Sequence, residues 1–268
     1  MHDNTRSVSG DSTTILEAVH LSFAYSASPA VIDVSFSLPR GALATLIGAN
    51  GSGKSTLIRL LAGLLAPGSG EVIFDESPIF RLDARERAKQ IAYVPQSTAT
   101  VFPFTALEVV LTGRSPYSGR FRFESSKDEE IAMAALDALD AAHLCDRPVT
   151  ELSGGERQLV TVARALAQEP EVMLLDEPAS SLDLKHRTQL ARALRHLTNE
   201  RRITVLMITH DLMLLDSAAD LVFAMKCARL VAGGRPDEVL NDGVLGEIYD
   251  TPVRTMRGAG RTFVWSEF

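Results

Sequence analysis

The sequence predicts an α/β protein whose mainly parallel β-sheet is covered by helices. Short apolar runs of strand length alternate with longer stretches that have helical periodicity. Hydrophobic residues make up 46% of the chain but aromatic residues only 6%, a composition that suits a helix-rich core. The length of 268 residues favours one compact unit that carries an insertion.

The amino-terminal part of the chain is predicted to contain four strands and one helix. Residues 32–38 alternate between apolar and polar side chains, as in a half-buried strand. Residues 42–47 form a near-continuous apolar run before Gly48, as expected for a strand buried on both faces. The other predicted elements are strands over 15–25 and 91–94 and a helix over 54–65.

The amino-acid composition of the sequence changes between residues 97 and 168. Proline, serine and aromatic residues fill 97–123, and a helix is predicted to follow. Ser126 and Glu129 fit the S-x-x-E capping box that begins many helices, ahead of an Ala/Leu-rich run to Ala142. We therefore expect an inserted helical subdomain at about 97–168.

After residue 168 the alternation of strands and helices returns. The predicted elements are strands over 172–175, 203–208 and 221–225 and helices over 184–199 and 212–217. Residues 1–13 are polar and are expected to be a disordered lead-in. Residues 14–252 are expected to form a single domain, and residues 253–268 a C-terminal tail.

Charge, hydropathy and cysteine spacing exclude several classes of protein. A formal charge of -7 and a pI near 5.4 argue against nucleic-acid binding, which needs a basic face. No apolar stretch approaches the ~20 residues that cross a bilayer, and the polar amino terminus lacks the apolar region of a secretory signal. Cys145 and Cys227 lack metal-ligand spacing and are expected to be reduced thiols. We expect a cytoplasmic protein that reaches any membrane through a partner.

A phosphate-binding loop is predicted directly after the strand over 42–47. Residues 48–56 read GANGSGKST and fit the pattern G-x-x-x-x-G-K-[ST]. Glycines let backbone N–H groups approach a pyrophosphate, Lys54 reaches the β- and γ-phosphates, and Ser55 offers its hydroxyl to Mg²⁺. The residues expected to contact the nucleotide here are Gly48, Asn50, Gly51, Ser52, Gly53, Lys54, Ser55 and Thr56. This loop alone leaves kinases, GTPases and many ATPases open.

Two further motifs narrow the class of protein. Residues 152–158 read LSGGERQ, a glycine-containing helix start and hence a second anion-binding site. Residues 172–178 read VMLLDEP, a core strand whose end presents Asp176 and Glu177. With these motifs, residues 14 to about 250 resemble the nucleotide-binding domain of the ABC ATPases. The resemblance implies a P-loop NTPase core with a mainly parallel sheet, an antiparallel β subdomain and an inserted helical subdomain.

The resemblance also implies the residues that carry ATP hydrolysis. Glu177 is the candidate general base, which polarises the attacking water. His210, in the Thr-His-Asp sequence after a strand, is similar to the switch histidine that contacts the γ-phosphate, and Gln96 to the Q-loop glutamine. The expected cofactors are ATP and Mg²⁺, with the metal held by Ser55, Gln96 and Asp176.

A second group of residues is implied to act between two copies of the chain. In the family two domains pair head to tail, so that Ser153, Gly154 and Gly155 of one close on the nucleotide held by the other. Asp183, in the Ser-Leu-Asp sequence that matches the D-loop, is implied to act across the same dimer. Tyr25 looks like the aromatic residue that stacks on adenine.

Three segments resemble importers of the iron-siderophore, haem and cobalamin type, namely 104–114, 182–186 and 234–249. Arg187 departs from that group, which usually has Gln at this position. Molybdate, manganese or zinc importers share most of the other features and are alternatives. A non-transport ABC ATPase is a further alternative, but only 98 residues separate Lys54 from Ser153, and they contain no sustained heptads.

The partners implied by the resemblance are integral-membrane permease subunits, a second copy of the chain and, indirectly, a substrate-binding protein. No nucleic acid is expected. Part of the segment 97–123 is expected to dock onto the permease, with Arg114 near the contact. The expected location is therefore the cytoplasmic face of the cell membrane, with attachment through the permease.

Overall fold

The computed structural model describes residues 14–96, 102–117, 125–211, 219–258 and 261–266. The predicted lead-in over 1–13 and the predicted helix over 212–217 lie outside the described residues. No helix in the described ranges combines the length and the apolar character that a membrane crossing requires.

The central element of the fold is a six-stranded sheet. Its strands are β3 Leu43–Gly48, β6 Ile91–Val94, β7 Val172–Asp176, β8 Thr204–Ile208, β9 Leu221–Lys226 and β10 Arg229–Gly234. They lie in the order β10-β9-β3-β8-β7-β6, and every pair except β10 with β9 is parallel. Strands β3, β7 and β8 are buried along their whole length, as their uninterrupted apolar sequences predicted. The predicted fold class is confirmed.

A second, antiparallel sheet covers one face of the core. Its strands are β1 Thr14–Tyr25, β2 Ser28–Pro39, β4 Ser69–Phe74 and β5 Ser77–Pro78, in the order β2-β1-β4-β5. In β2 the alternation places Val34 and Leu38 in the core, where both are fully buried. This is the antiparallel β subdomain that the resemblance implied.

Helices fill the space between and beside the sheets. The main described helices are α1 Lys54–Leu61, α2 Ala84–Gln90, α3 Ala106–Leu111, α4 Ser126–Asp137, α5 Gly154–Leu166 and α6 Leu184–Arg201. Leu57, Ile58 and Leu61 of α1 are buried in a cluster with side chains from both sheets. Helix α1 is shorter than the predicted helix over 54–65, because Gly63 has a left-handed φ of 64° and ends the helical path.

Helices α3, α4 and α5 pack on one another in the inserted segment. The predicted capping box at its second helix is wrong by one residue. The N-cap is Ser125, which exchanges hydrogen bonds with Asp128. The predicted pair was Ser126 with Glu129. Ser125 is followed three residues later by Asp128 and so does not match the S-x-x-E pattern, but an ion pair between Asp128 and Arg114 favours this cap. The helix also ends at Asp137, before the predicted end at Ala142.

Arg114 is a buried residue and does not lie at an exposed contact, which corrects its expected place near the permease. Only 5% of its surface is exposed. Its guanidinium donates to Asp128 at 3.0 Å, to Glu169 at 2.8 Å and to the carbonyl of Ala167 at 2.7 Å. It also lies 4.0 Å from the centroid of the Tyr117 ring. Arg114 therefore joins the inserted helices to the segment that leads into β7.

The carboxyl-terminal part of the chain packs against the face of the main sheet formed by β3 and β9. Two short helices, Pro236–Val239 and Asp242–Tyr249, precede a hairpin of β11 Val253–Gly258 and β12 Arg261–Ser266. Val253 and Val264 of the hairpin pack on a buried cluster that contains Ile47. The segment expected to be a tail thus contains an ordered hairpin.

Candidate functional site

The glycine-rich loop begins where β3 ends and is pressed against two other strands. Gly48 has a φ of 148°, and a Cβ there would lie 2.3 Å from the carbonyl oxygen of Met225 in β9. Gly53 has a φ of 101°, and a Cβ there would lie 2.0 Å from the carbonyl oxygen of Ala30 in β2. No side chain fits at either position, so the backbone itself forms the inner wall of the loop. Its N–H groups and the amino terminus of α1 make an anion-binding surface.

Lys54, the first residue of α1, lies inside this loop. Its Nζ donates to the carbonyl oxygens of Gly48 and Ala49, both at 2.9 Å, and only 5% of the residue is exposed. Burial lowers the pKa of Lys54, while the carboxylates of Glu177 and Asp176 oppose this shift. Among the described residues, the hydrogen-bond partners of this buried ammonium group are neutral oxygens, so it is suited to an anionic ligand such as a phosphate.

Asp176 and Ser55 form a pair at the end of β7. The Ser55 hydroxyl donates to Oδ1 of Asp176 at 3.0 Å, and Asp176 is almost fully buried. Burial raises the pKa of Asp176, the neighbouring Glu177 raises it further, and the Ser55 hydrogen bond opposes both effects. A hydroxyl and a buried carboxylate at this spacing fit the oxygen ligands that Mg²⁺ prefers. A bound divalent cation would offset the cost of burying that negative charge.

Glu177 lies next to Asp176 and is held by two of the predicted site residues. Its Oε2 accepts a hydrogen bond from Nε2 of Gln96 at 2.8 Å, and its Oε1 lies 2.9 Å from Nε2 of His210. The Glu177 backbone is left-handed, with φ at 51°, which is strained for a residue with a long side chain. Gln96 follows β6 and His210 follows β8. The carboxyl ends of parallel strands thus bring the three residues together at one edge of the sheet.

The LSGGERQ motif forms the start of α5, as its sequence predicted. Ser153 is the N-cap, and its hydroxyl and backbone N–H exchange hydrogen bonds with Glu156. Ser153 and Gly154 are exposed to solvent, whereas Gly155 is buried. Among the described residues, no hydrogen bond connects Ser153 to the glycine-rich loop of the same chain. This second anion-binding helix start is therefore free to face a different molecule.

Asp183 is the N-cap of α6, and the helix start next to it is tied to the segment after β8. The Asp183 carboxylate accepts from the backbone N–H of His186 at 2.9 Å. Arg187 donates to the carbonyl of Leu182 at 2.8 Å and to the Asp211 carboxylate at 3.2 Å. The departure noted at Arg187 thus has a structural role, because it connects the D-loop to the residue that follows His210.

Tyr25 ends β1 and is 47% exposed, as an aromatic residue available for stacking must be. Its ring lies edge-on against Phe23, with centroids 4.9 Å apart. Strand β2, which pairs with β1 beside Tyr25, contacts Gly53 through Ala30. The hairpin therefore attaches Tyr25 to the side of the glycine-rich loop.

Tyr93 lies near the site but was not indicated by any sequence motif. Tyr93 in β6 lies with its hydroxyl 3.5 Å from Oδ2 of Asp176 and 3.5 Å from Nε of Arg59. Burial raises the pKa of Tyr93, so its hydroxyl remains a neutral donor at physiological pH. The pairing of Tyr93 with Leu174 in β7 creates this contact, and a single sequence does not reveal which residues pair across two strands.

A parallel sheet with a glycine-rich loop after one strand and paired carboxylates after another defines a P-loop nucleotide hydrolase. The family model described as ABC transporter matches residues 31–180. The chain belongs to this family, as the sequence motifs predicted, and it is an ATP-hydrolysing subunit of the ABC type.

The similarity to known ABC proteins extends over most of the chain. The petrobactin import ATP-binding protein FpuD of Bacillus anthracis is 34% identical over 87% of this chain and 86% of its own length. The hemin import ATP-binding protein HmuV of Hahella chejuensis is 38% identical over 83% of this chain and 88% of its own.

Solved structures show the same similarity in three dimensions. An inward-facing structure described as a metal-chelate type ABC transporter has a TM-score of 0.84 at 30% identity, covering 96% of this chain and 98% of that one. The dimeric structure of a bacterial ABC transporter cassette has a TM-score of 0.74 at 26% identity, covering 83% of this chain and 99% of that one.

Proposed function

We propose that this chain is the ATPase subunit that drives import of an iron chelate, a siderophore complex or haem, through a separate permease. The observation that carries the ATPase assignment is the cluster of Glu177 with Gln96 and His210, next to Lys54 and Asp176. The cargo class is supported by the similarity to siderophore and haem import subunits over most of the chain.

In this proposal Lys54 and the backbone of the glycine-rich loop bind the phosphates of ATP. The ammonium group gains a charged partner when phosphate oxygens take the place of the two backbone carbonyls that it contacts now. Tyr25 supplies the exposed ring that stacks on adenine. Ser52 in the loop and Thr56 in the first turn of α1 are buried and are further proposed contacts of the nucleotide.

Ser55, Asp176 and Gln96 would hold Mg²⁺ beside the phosphates. When bound, the cation neutralises charge that develops on the phosphoryl oxygens. Ser55 already positions the Asp176 carboxylate for this role through their hydrogen bond. Without the cation, burial and the nearby Glu177 carboxylate make the charged form of Asp176 energetically costly.

Glu177 is the proposed general base for the attacking water. Its two carboxylate oxygens face Gln96 and His210, and only 16% of its side chain is exposed. Both neighbours fix the direction of the carboxylate, so that one oxygen can accept a proton from water as it attacks the γ-phosphate. The His210 side chain is more exposed than that of Glu177, and we expect it to contact the γ-phosphate itself.

Completion of the site requires a second copy of the chain. Ser153 and Gly154 are exposed and make no hydrogen bond to the glycine-rich loop of their own chain, among the described residues. A head-to-tail dimer would place this helix start, and Asp183 beside it, against the ATP that the partner holds. The similarity to a dimeric ABC cassette supports this arrangement.

The permease would dock on an exposed aromatic pair in the segment 97–123. Phe102 and Phe104 are 65% and 53% exposed, and their ring centroids lie 6.0 Å apart. Exposed aromatic pairs of this kind are typical of protein–protein contacts. The location would then be the cytoplasmic face of the membrane, with a substrate-binding protein acting on the permease from the other side.

Uptake by the reconstituted transporter tests this proposal. The chain is copurified with its permease, placed in vesicles and supplied with ATP and one cargo at a time: an iron-siderophore complex, haem, molybdate or manganese. We expect ATP-dependent uptake of an iron chelate and none with Lys54→Ala. Uptake of only molybdate or manganese would assign the chain to the alternative importers, and ATP hydrolysis that never responds to a permease would favour a non-transport ATPase.

A further inference from the structure

The side chain of His186 lies between two loops that the proposed dimer uses together. His186 is in the first turn of α6, and only 18% of its side chain is exposed. Its Nδ1 lies 2.8 Å from Oδ1 of Asp183. Because a carboxylate only accepts, Nδ1 carries the proton and donates it to Asp183. The imidazole is thereby fixed to the D-loop at one end of its ring.

The same ring is pressed against the LSGGERQ motif. A Cβ at Gly155 would lie 2.9 Å from Nδ1, 3.1 Å from Cγ and 3.4 Å from Cε1 of His186. At Gly154, by contrast, a Cβ would meet no atom of the described residues within 4 Å. A methyl group at Gly155 would therefore have to displace the imidazole beside it.

The rest of the His186 ring faces open space rather than packed side chains. An open pocket of about 640 Å³ lies next to the ring, between α5, α6 and residues 140–144. Leu159, Lys185 and Gln189 contribute to its walls. Since this side is not filled by protein atoms, the hydrogen bond with Asp183 and the contact with Gly155 determine where the ring lies.

We propose that His186 is a positioning residue that sets the spacing between Asp183 and the Ser153–Gly155 loop within one chain. Both loops then meet the partner's nucleotide site in the correct relative arrangement. This proposal rests on the proposed function, because it needs ATP to be held between two copies. It adds a residue that touches neither nucleotide nor metal and acts only through the closed dimer.

The proposal predicts a separation between ATP binding and dimer closure. In a Glu177→Gln background, which slows hydrolysis, His186→Ala should leave ATP affinity of the monomer unchanged, because the glycine-rich loop is untouched. The protein concentration needed for ATP-dependent dimerisation should rise about ten-fold or more. His186→Asn, whose amide nitrogen can replace Nδ1 as the donor to Asp183, should recover most of that loss.

A paired substitution tests the contact itself. Gly155→Ala should weaken dimerisation, since its methyl group meets the ring. The matched control is Gly243→Ala in the helix Asp242–Tyr249, where a Cβ would lie 3.4 Å from Oδ1 of Asn241, and it should leave dimerisation unchanged. Combining Gly155→Ala with His186→Ala should cost less than the sum of the two single losses. Thermal unfolding of each variant shows that the native fold is retained.

The measurement is sedimentation velocity with ATP, together with titration of a fluorescent ATP analogue. The expected pattern is a dimerisation defect without a binding defect, rescue by Asn and non-additive losses. Normal dimerisation of His186→Ala, or additive losses in the double variant, would overturn this proposal while leaving the proposed function intact. Failure of the parent Glu177→Gln protein to dimerise on ATP, even with its permease, would overturn both.

Discussion

At the scale of single residues, the proposed general base Glu177 is the residue on which hydrolysis depends most directly. Its left-handed backbone costs on the order of 1–3 kcal/mol, and the hydrogen bonds to Gln96 and His210 hold the side chain in place. The strained residue follows directly on the buried Asp176 at the end of β7. Strain that the surroundings maintain is typical of a functional position, and here it points the carboxylate towards the edge of the sheet where the glycine-rich loop also lies.

Removal of the Lys54 ammonium should abolish useful ATP binding. Lys54→Ala deletes the buried cation of the loop, and a charge-assisted contact of this type is worth about 1.5–3 kcal/mol, or roughly ten- to a hundred-fold in affinity. Titration of a fluorescent ATP analogue measures the change. Lys89→Ala is the control, because Lys89 pairs with Glu86 on α2, away from the loop, and ATP affinity should not change. Equal affinities in the two variants would contradict the assignment of the loop.

Loss of the Glu177 carboxylate should slow hydrolysis but preserve binding. Glu177→Gln keeps the shape of the side chain and removes the base, so kcat should fall about 10²–10⁴-fold while ATP affinity stays within a few-fold. Single-turnover ATPase assays in the complex with the permease measure the chemical step directly. Rapid hydrolysis by this variant in that complex would rule out Glu177 as the general base.

At the scale of elements, the inserted helices are attached to the core through Arg114. Its pair with Asp128 is buried, whereas Glu169 is 55% exposed, so removal of the guanidinium leaves Asp128 as a buried carboxylate without its cation. Arg114→Met should therefore lower the free energy of unfolding by about 3–5 kcal/mol, as urea denaturation would show. Arg235→Met, at a pair whose arginine is 76% exposed, should change it by less than about 1 kcal/mol. Similar effects of the two substitutions would contradict the role given to Arg114.

The same contact makes the insertion sensitive to acid. Hydrogen bonds from Ser125 and the nearby Arg114 lower the pKa of Asp128 from 3.8 to about 2. Because the folded-state pKa is below the unfolded value, the stabilisation by Asp128 is fully present above about pH 4 and is lost as the pH falls towards 2. The stability difference between wild type and Asp128→Asn, from urea unfolding at a series of pH values, should be constant near pH 7 and shrink below pH 4. A difference that stays constant down to pH 3 would contradict the assigned pKa.

The sequence predicted elements best where one local pattern determined them. The apolar runs of β3, β7 and β8 left no alternative to buried strands, and all three were found. Only Ser126 fits the S-x-x-E pattern, whereas the observed cap, Ser125 with Asp128, is supported by the ion pair of Asp128 with Arg114, which the local pattern does not show. Burial of Arg114 was not predictable because a charged residue is buried only with partners, and Glu169 lies 55 residues further along the chain.

For the site, the sequence predicted the residues that belong to motifs and missed those defined by packing. Gln96, Glu177 and His210 were named from their motifs, and the parallel sheet brings them together. The contact of Tyr93 with Asp176 depends on strand pairing, and that of His186 with Gly155 on how two helices pack. Neither relationship leaves a signal in the local pattern of one sequence.

At the scale of the whole molecule, the proposed site is divided between two surfaces of the chain. Lys54, Asp176 and Glu177 lie at the edge of the main sheet, whereas Ser153 begins a helix of the insertion and faces solvent. ADP lacks the γ-phosphate that both surfaces would hold, so the dimer should close on ATP and open after hydrolysis. That alternation is what would move the permease between its two states.

The most direct test of this account compares the sedimentation of two proteins. Glu177→Gln is measured with ATP and with ADP, and the double variant that also carries Ser153→Arg is measured with ATP. The account predicts a dimer with ATP, a monomer with ADP, and a monomer with ATP when Ser153→Arg is also present, although each double-variant chain still binds ATP through Lys54. If isolated Glu177→Gln stays monomeric, the same comparison is made in the complex with the permease. A dimer that forms equally well with ADP, or that survives Ser153→Arg, would contradict a site built from the glycine-rich loop of one chain and the Ser153 loop of another.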